Sequence, residues 1–439
     1  MMPGYQANTA TSPLNVLLLG GATLVVRDAV VAAGVVYVGA SVATALGLLG
    51  LGRELGVGYR LALFGTPLLV ANPLLVSTVG LETTLVAAAM VHLAWAAARR
   101  DAVRFGLVAG LLLWLRLDTV AIVAVLALAT PGLWRRLHLV AGLAVSVVLP
   151  WLLFSWIFLG SAIPDTLIIK QASAFRDYAI GLVSRYGGPY PAAVASVTLL
   201  AVLGLLTAGS WLWWRRRVTV PTTVVPALAL AGIAYYIELW ALSVPSFFWY
   251  YGPPVAALTT VAAIGMALLS QRAGSTRRAI AAAAGVAVVT LALPWARDMA
   301  HSTPLQTMPI HGNWAYPGEY EKIGTALGAR LHGRSVRSPG EVGALLYYCD
   351  CVMSDRFSDR SRILGEIKQR EQGSWLFRLN YNFLDTSDIT PIRPHYAVRW
   401  EPGRDHTAKG WNAHGFSGGE HVHGHFALSP WPPRHGGRL

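Results

Sequence analysis

Hydrophobic residues make up 54% of this 439-residue chain and charged residues 13%, whereas soluble globules carry roughly 25% charged residues. That balance excludes an ordinary soluble domain. The formal net charge of +13 resides in short arginine clusters between apolar runs, where arginines orient helices, so a nucleic-acid partner is excluded too. Two cysteines exclude a disulfide-dense scaffold.

The chain opens on a polar loop, residues 1–13, carrying Tyr5, Asn8, Thr9, Thr11 and Ser12. No charged segment precedes it and no small-residue cleavage site follows, so it is not a signal peptide. Residues 14–26 are too short to cross a bilayer and contain Gly20-Gly21, which predicts an interfacial or re-entrant helix. Spans are predicted over 30–51, 61–77, 80–97, 104–115, 118–130, 138–159, 192–213, 222–244, 254–270 and 279–296. The pair 104–115 and 118–130 can also be read as one kinked element. The expected fold is a membrane all-α polytopic bundle over 14–297, about ten spans plus the interfacial helix. A small extracytoplasmic α/β domain over 298–400 follows, and then a flexible tail over 401–439.

Loop charge orients this bundle. One set of alternate loops holds thirteen arginines: Arg53, Arg60, Arg99, Arg100, Arg104, Arg135, Arg136, Arg215, Arg216, Arg217, Arg272, Arg277 and Arg278. The other set holds five cations: Arg27, Arg116, Lys170, Arg176 and Arg185. The positive-inside rule makes the first set cytoplasmic. The N-terminus, the 160–191 loop and the C-terminal domain then lie outside a plasma membrane.

Ionisable groups at membrane depth are costly and usually functional, and here they gather at the outer end. Glu82 opens a span, with a helix-dipole role as its structural alternative. Arg116 and Asp118 sit at an outer hairpin and can equally pair with each other. Asp165 and Lys170 begin the outer loop, where Lys170 can also snorkel to headgroups. Glu238 has no charged neighbour in its own helix. A shared polar pocket is favoured over separate accidents. The loop VPSFFWYYGPP, with Trp249 and Tyr250, is either an interfacial belt or a wall for a lipid or sugar. Loop residues Phe175, Tyr178, Tyr186 and Tyr190, set between Arg176, Asp177 and Arg185, predict a segment on the membrane surface.

In the C-terminal domain EYEKIGTALGARL and SRILGEIKQRE read as helices and ALLYYCDCVM as a buried strand. Whether Cys349 and Cys351 bridge is left open, and a metal site there lacks further ligands. His421, His423 and His425 alternate, a pattern that can bind zinc, but a flexible His/Gly tail is favoured.

Several stretches resemble the GT-C class of polytopic glycosyltransferases, and within it the actinobacterial cell-wall arabinofuranosyltransferases. They are GYQANTATSPLN (Gly4 to Asn15), Gly80-Leu81-Glu82-Thr83, and Leu113 to Asp118 with Leu117 where the family has proline. Pro164-Asp165-Thr166 to Lys170 comes next, then Gly340 to Asp350 and SDRFSD (Ser354 to Asp359). The resemblance implies a polyprenyl-phosphate-linked sugar donor, a cell-envelope glycan acceptor and inverting transfer of a pentose at the outer face. Arg116 and Lys170 would hold the donor phosphate. Tyr5, Asn8, Ser12, Asp165, Thr166, Glu238, Trp249 and Tyr250 would line the substrate pocket. The family's base belongs to an acidic pair upstream of the first motif, and here only Met1, Met2 and Pro3 stand before Gly4. The base is therefore expected upstream of Met1, in a longer enzyme whose first helix this chain lacks; otherwise Glu82 or Asp118 serves as base. A divalent metal stays open as a cofactor. The competing functions are a non-catalytic assembly protein of the same architecture and a lipid-linked sugar flippase. The flippase predicts internal repeats and midplane sites, and neither is present in the sequence.

Overall fold

The computed structural model describes residues 7–171, 178–214, 223–272, 285, 308–340, 343–387, 389–405, 410–417 and 420–431. Among the described residues five helices are long and apolar enough to cross a membrane: Ala29–Glu54, Leu137–Phe158, Pro191–Trp211, Val224–Ala241 and Phe248–Gln271. Shorter apolar helices, Pro13–Val26, Arg60–Val70, Thr83–Arg99, Ala102–Leu115 and Leu117–Ala129, complete the described bundle. The most apolar window of Leu137–Phe158 is only 17% buried, and Leu149, Leu153, Phe154, Ile157 and Phe158 stand exposed. Water does not tolerate such a stripe and lipid does. Phe248–Gln271, by contrast, is 89% buried and forms the bundle's axis. The chain is a multi-pass membrane protein.

Local chemistry sets the breaks. Pro13–Val26 ends at Arg27 in the left-handed region (φ 58°), and Asp28 then caps Ala29–Glu54 by accepting from the Val31 N–H at 2.8 Å. The expected span 61–77 is two helices, Arg60–Val70 and Pro73–Val76. Asn72 breaks it, because its Oδ1 accepts from Leu74 N at 3.0 Å and Pro73 has no N–H to continue the ladder. The segments 104–115 and 118–130 are likewise two elements, divided by Arg116 in an extended conformation (φ −157°, ψ 116°) and a 3₁₀ turn, Leu117–Thr119. The expected span 279–296 lies outside the described residues apart from position 285.

The charges segregate to opposite ends of the bundle. At one end Arg99 pairs with Glu54 at 3.8 Å and Gln271 donates to the Gly56 carbonyl at 3.0 Å. At the other end stand Glu82, Arg116, Asp118 and Lys170, under the C-terminal domain.

That domain packs the helix Pro317–Leu331 onto a five-stranded sheet. The strand order is Met353–Ser354, Val336–Arg337, Tyr396–Pro402, Glu420–Pro430, Gly410–Ser417. The first two pairings are parallel and the rest antiparallel. Two expectations are corrected here. ALLYYCDCVM is not a buried strand. Residues Ala344–Cys349 form a helix that buries Leu345 and Cys349, four residues apart on one face, and only Met353–Ser354 is extended. The helix stops at Asp350, in the left-handed region at φ 47°, and Cys349 and Cys351 are joined in a disulfide. Nor are residues 401–405, 410–417 and 420–430 a flexible tail. A domain boundary at 400/401 would cut the strand Tyr396–Pro402, and Val398, Ala413 and Phe426 bury against Tyr320 and Leu327. Residues 432–439 lie outside the described residues.

Candidate functional site

The chain break at Arg116 lies at the end of the bundle that carries the C-terminal domain. Arg116 leaves the end of Ala102–Leu115 and is 6% exposed. Its Nε donates to Asp118 Oδ1 at 2.9 Å, its Nη2 donates to Asp118 Oδ2, and its Nη1 donates to Glu82 Oε1 at 2.6 Å. Tyr235, fully buried, donates to Asp118 Oδ2 at 3.2 Å. The guanidinium lies 5.1 Å from the centroid of the Tyr250 ring, and Lys170 Nζ lies 5.3 Å from the same ring. A buried cation held by two carboxylates is a fixed unit, since losing any partner would strand a charge in low dielectric.

A cavity of about 180 Å³ opens on this unit. Its polar lining is Thr11, Arg116, Asp118, Thr166, Lys170 and Tyr250. The rest of its lining is apolar: Leu117, Ile163, Pro164, Leu167, Leu239, Leu242, Val244 and Pro245. Asp118 keeps 24% of its side chain exposed toward this space, against 8% for Glu82. Lys170 has no carboxylate within ion-pairing distance among the described residues. The described site therefore offers one unspent cation, one partly accessible carboxylate, an aromatic face and a greasy wall.

Several expected pocket residues serve elsewhere. Arg116, expected to bind phosphate, spends three N–H groups on Asp118 and Glu82, so Lys170 is the cation of the described cavity lining left to meet an anion. Asp165 does not line the cavity. It is fully buried and accepts from Arg360 Nε at 2.8 Å, Arg360 Nη2 at 3.0 Å and the Tyr381 hydroxyl at 3.2 Å. Burial pushes the Asp165 carboxyl up, and the guanidinium of Arg360 opposes that push. Arg360 also donates to the Leu159 carbonyl at 2.7 Å and to Ser161 Oγ at 3.1 Å. Gly160 (φ 73°) lets the chain turn against Arg360 and Leu384, where a Cβ would meet Leu384 at 2.9 Å. Asn8, also buried, pins the N-terminal loop to the same turn: its Nδ2 donates to Ser161 O and its carbonyl accepts from Asp165 N, both at 2.7 Å. Ser12 precedes the first helix outside the cavity, and Thr11 lines it instead.

Glu238 is half-buried and does not line the cavity; its Oε2 is buried without a hydrogen-bond partner among the described residues. Trp249 stacks on Phe247 at 4.6 Å rather than facing the cavity. Thr166 and Tyr250 do line it. Met1 and Tyr5 lie outside the described residues, and so does the base expected upstream of Met1. The two acids named in its stead, Glu82 and Asp118, are both described, and both hold Arg116. Tyr235 and Arg360 had no assigned role in the sequence. The nearest signals were AYYIELW around the first and the position just after SDRFSD for the second.

The histidines belong to the sheet. His421 pairs with Phe416 across the antiparallel strands. The His423 ring lies 4.6 Å from that of His414, whose Nδ1 is 2.7 Å from Glu319 Oε1, and His425 Nδ1 is 2.8 Å from the Gly403 carbonyl. Among the described residues no group of three or more His, Cys, Asp or Glu side chains is placed to hold a metal. The cavity does not fit a divalent cation either, because both carboxylates bind Arg116 and Lys170 repels a second positive charge.

No protein-family model and no curated protein matches the chain. Among solved structures, the crystal structure of ArnT from Cupriavidus metallidurans bound to undecaprenyl phosphate is similar over 94% of this chain and 87% of that one, at 13% identity and a TM-score of 0.47. A likeness at that level says nothing about what this chain binds.

Proposed function

We propose that the protein is a membrane glycosyltransferase of the GT-C class. It takes a sugar, an arabinofuranose by the sequence resemblance, from a polyprenyl phosphate at the outer face and passes it to an envelope glycan. The observation that carries this reading is the mixed lining of the cavity: Lys170 and Tyr250, 5.3 Å apart, share it with Leu167, Leu239 and Leu242. A lipid phosphodiester has that same mixture.

In the proposed reaction the acceptor hydroxyl attacks the anomeric carbon and the bond from that carbon to the phosphate oxygen breaks with inversion. The electron pair leaves on the phosphate, and the hydroxyl proton passes to a carboxylate. Lys170 neutralises the charge that grows on the leaving phosphate. Asp118 is the carboxylate that reaches the cavity, so it takes the base role in this scheme; Glu82 holds Arg116 from behind. The orientation read from loop arginines, with the C-terminal domain outside, is part of the proposal.

One observation favours a second reading, a non-catalytic protein of the same architecture: Arg116 and Tyr235 already occupy the Asp118 carboxylate. Transfer from a synthetic polyprenyl-phosphoryl pentose to an acceptor oligosaccharide separates the two. Glycosidic product that falls by about a hundredfold or more in Asp118→Asn supports the enzyme, in line with the loss of a general base. Donor binding without product from the native chain supports the second reading.

A further inference from the structure

We infer that residues 374–383 of the C-terminal domain lie in the headgroup region of the bilayer, as an interfacial foot beside the helix Leu137–Phe158. The short helix Trp375–Asn380 buries none of its residues. Trp375 is 64% exposed, Leu376 58%, Leu379 48% and Phe383 49%, an apolar patch that a water-facing domain rarely shows.

Its level is fixed by bonds to the end of a membrane helix. Trp156 Nε1 donates to the Leu379 carbonyl at 2.9 Å, and Ile163 N donates to Asn380 Oδ1 at 2.7 Å. The Phe383 ring meets the Trp156 ring edge-on at 5.0 Å. Trp156 sits two residues before the end of Leu137–Phe158, whose Phe154, Ile157 and Phe158 face lipid at 45%, 51% and 60% exposure. The patch is thus continuous with a lipid-covered surface, and that continuity identifies its occupant as lipid.

The chemistry of the rim agrees. Exposed Arg378 lies in the helix itself and Arg370 stands 5.6 Å over the Phe377 ring, with exposed Lys368 two residues before Arg370 and the acids Glu371 and Asp385 nearby in sequence. Aromatic and aliphatic side chains below exposed cations make an interfacial helix that favours anionic lipids. The inference concerns the membrane surface only and stands whatever reaction the cavity supports.

The test is a nitroxide at Leu376→Cys in the full chain, in nanodiscs of phosphatidylethanolamine and phosphatidylglycerol, with a second label at exposed Arg399→Cys as reference. The native cysteines are bonded to each other and leave no thiol for the label. The expected result is an oxygen-to-nickel-chelate accessibility ratio several-fold higher at 376 than at 399. A ratio equal to the reference overturns the inference. So does dipolar broadening at 376, which would show a second copy of the chain covering the patch.

Discussion

Lys170→Ala is expected to lower turnover of a polyprenyl-phosphate sugar by about a hundredfold to a thousandfold, the usual loss when one preorganised donor to a developing oxyanion is removed. The reason is charge arithmetic. A phosphodiester donor carries one negative charge, and the phosphomonoester released by glycosyl transfer carries up to a second. A cation at the cavity therefore gains attraction as the bond breaks, so the loss falls on kcat more than on KM. Arg116 substitutes poorly, because its charge is already balanced by Asp118 and Glu82. Lys170→Arg should recover part of the rate, since it keeps the charge but changes its reach. Steady-state kinetics on the two variants checks this, and a Lys170→Ala enzyme with native kcat would remove Lys170 from the reaction.

The second large effect belongs to Arg360. Its pair with Asp165 is fully buried, with side-chain exposures of 3% and 0%. Removing one member of such a pair strands a charge and costs about 3–5 kcal/mol. Arg360→Ala should therefore loosen the joint between the C-terminal domain and the turn 159–165. Amide exchange in 159–169 and 360–384 should rise by about a hundredfold or more, since roughly 1.4 kcal/mol makes a factor of ten. Ile168 and Ile169 pack on Ile363, Ile367 and Tyr381 beside the joint, and Lys170 is the next residue, so activity should fall with it. Pairing Arg360→Met with Asp165→Leu removes both charges and should restore much of the protection. Unchanged exchange in Arg360→Ala would show that the joint is held by apolar packing instead.

These two residues also mark what could be read in advance. Glu82, Arg116, Asp118 and Lys170 betrayed themselves because a charge inside an apolar run demands an explanation, and the structure brings all four to one end of the bundle. Their pairing could not be read, since Glu82 and Arg116 are 34 residues apart and nothing local links them. Asp165 misled for the same reason. It shares a motif with Lys170, yet its partner Arg360 lies 195 residues on. In the C-terminal domain the alternation of His421, His423 and His425 was a strand period in plain view, but the glycines around it suggested flexibility. ALLYYCDCVM failed differently, as a short apolar run whose period does not separate helix from buried strand.

Retention of polyprenyl phosphate by the native chain in native mass spectrometry tests the central claim most directly, with free polyprenol and Lys170→Ala as comparisons. The mixed lining of the cavity predicts that one lipid phosphate stays bound to the native chain, that polyprenol of the same length does not, and that Lys170→Ala loses the preference. Equal retention of phosphate and alcohol, or an unchanged preference in Lys170→Ala, would contradict it.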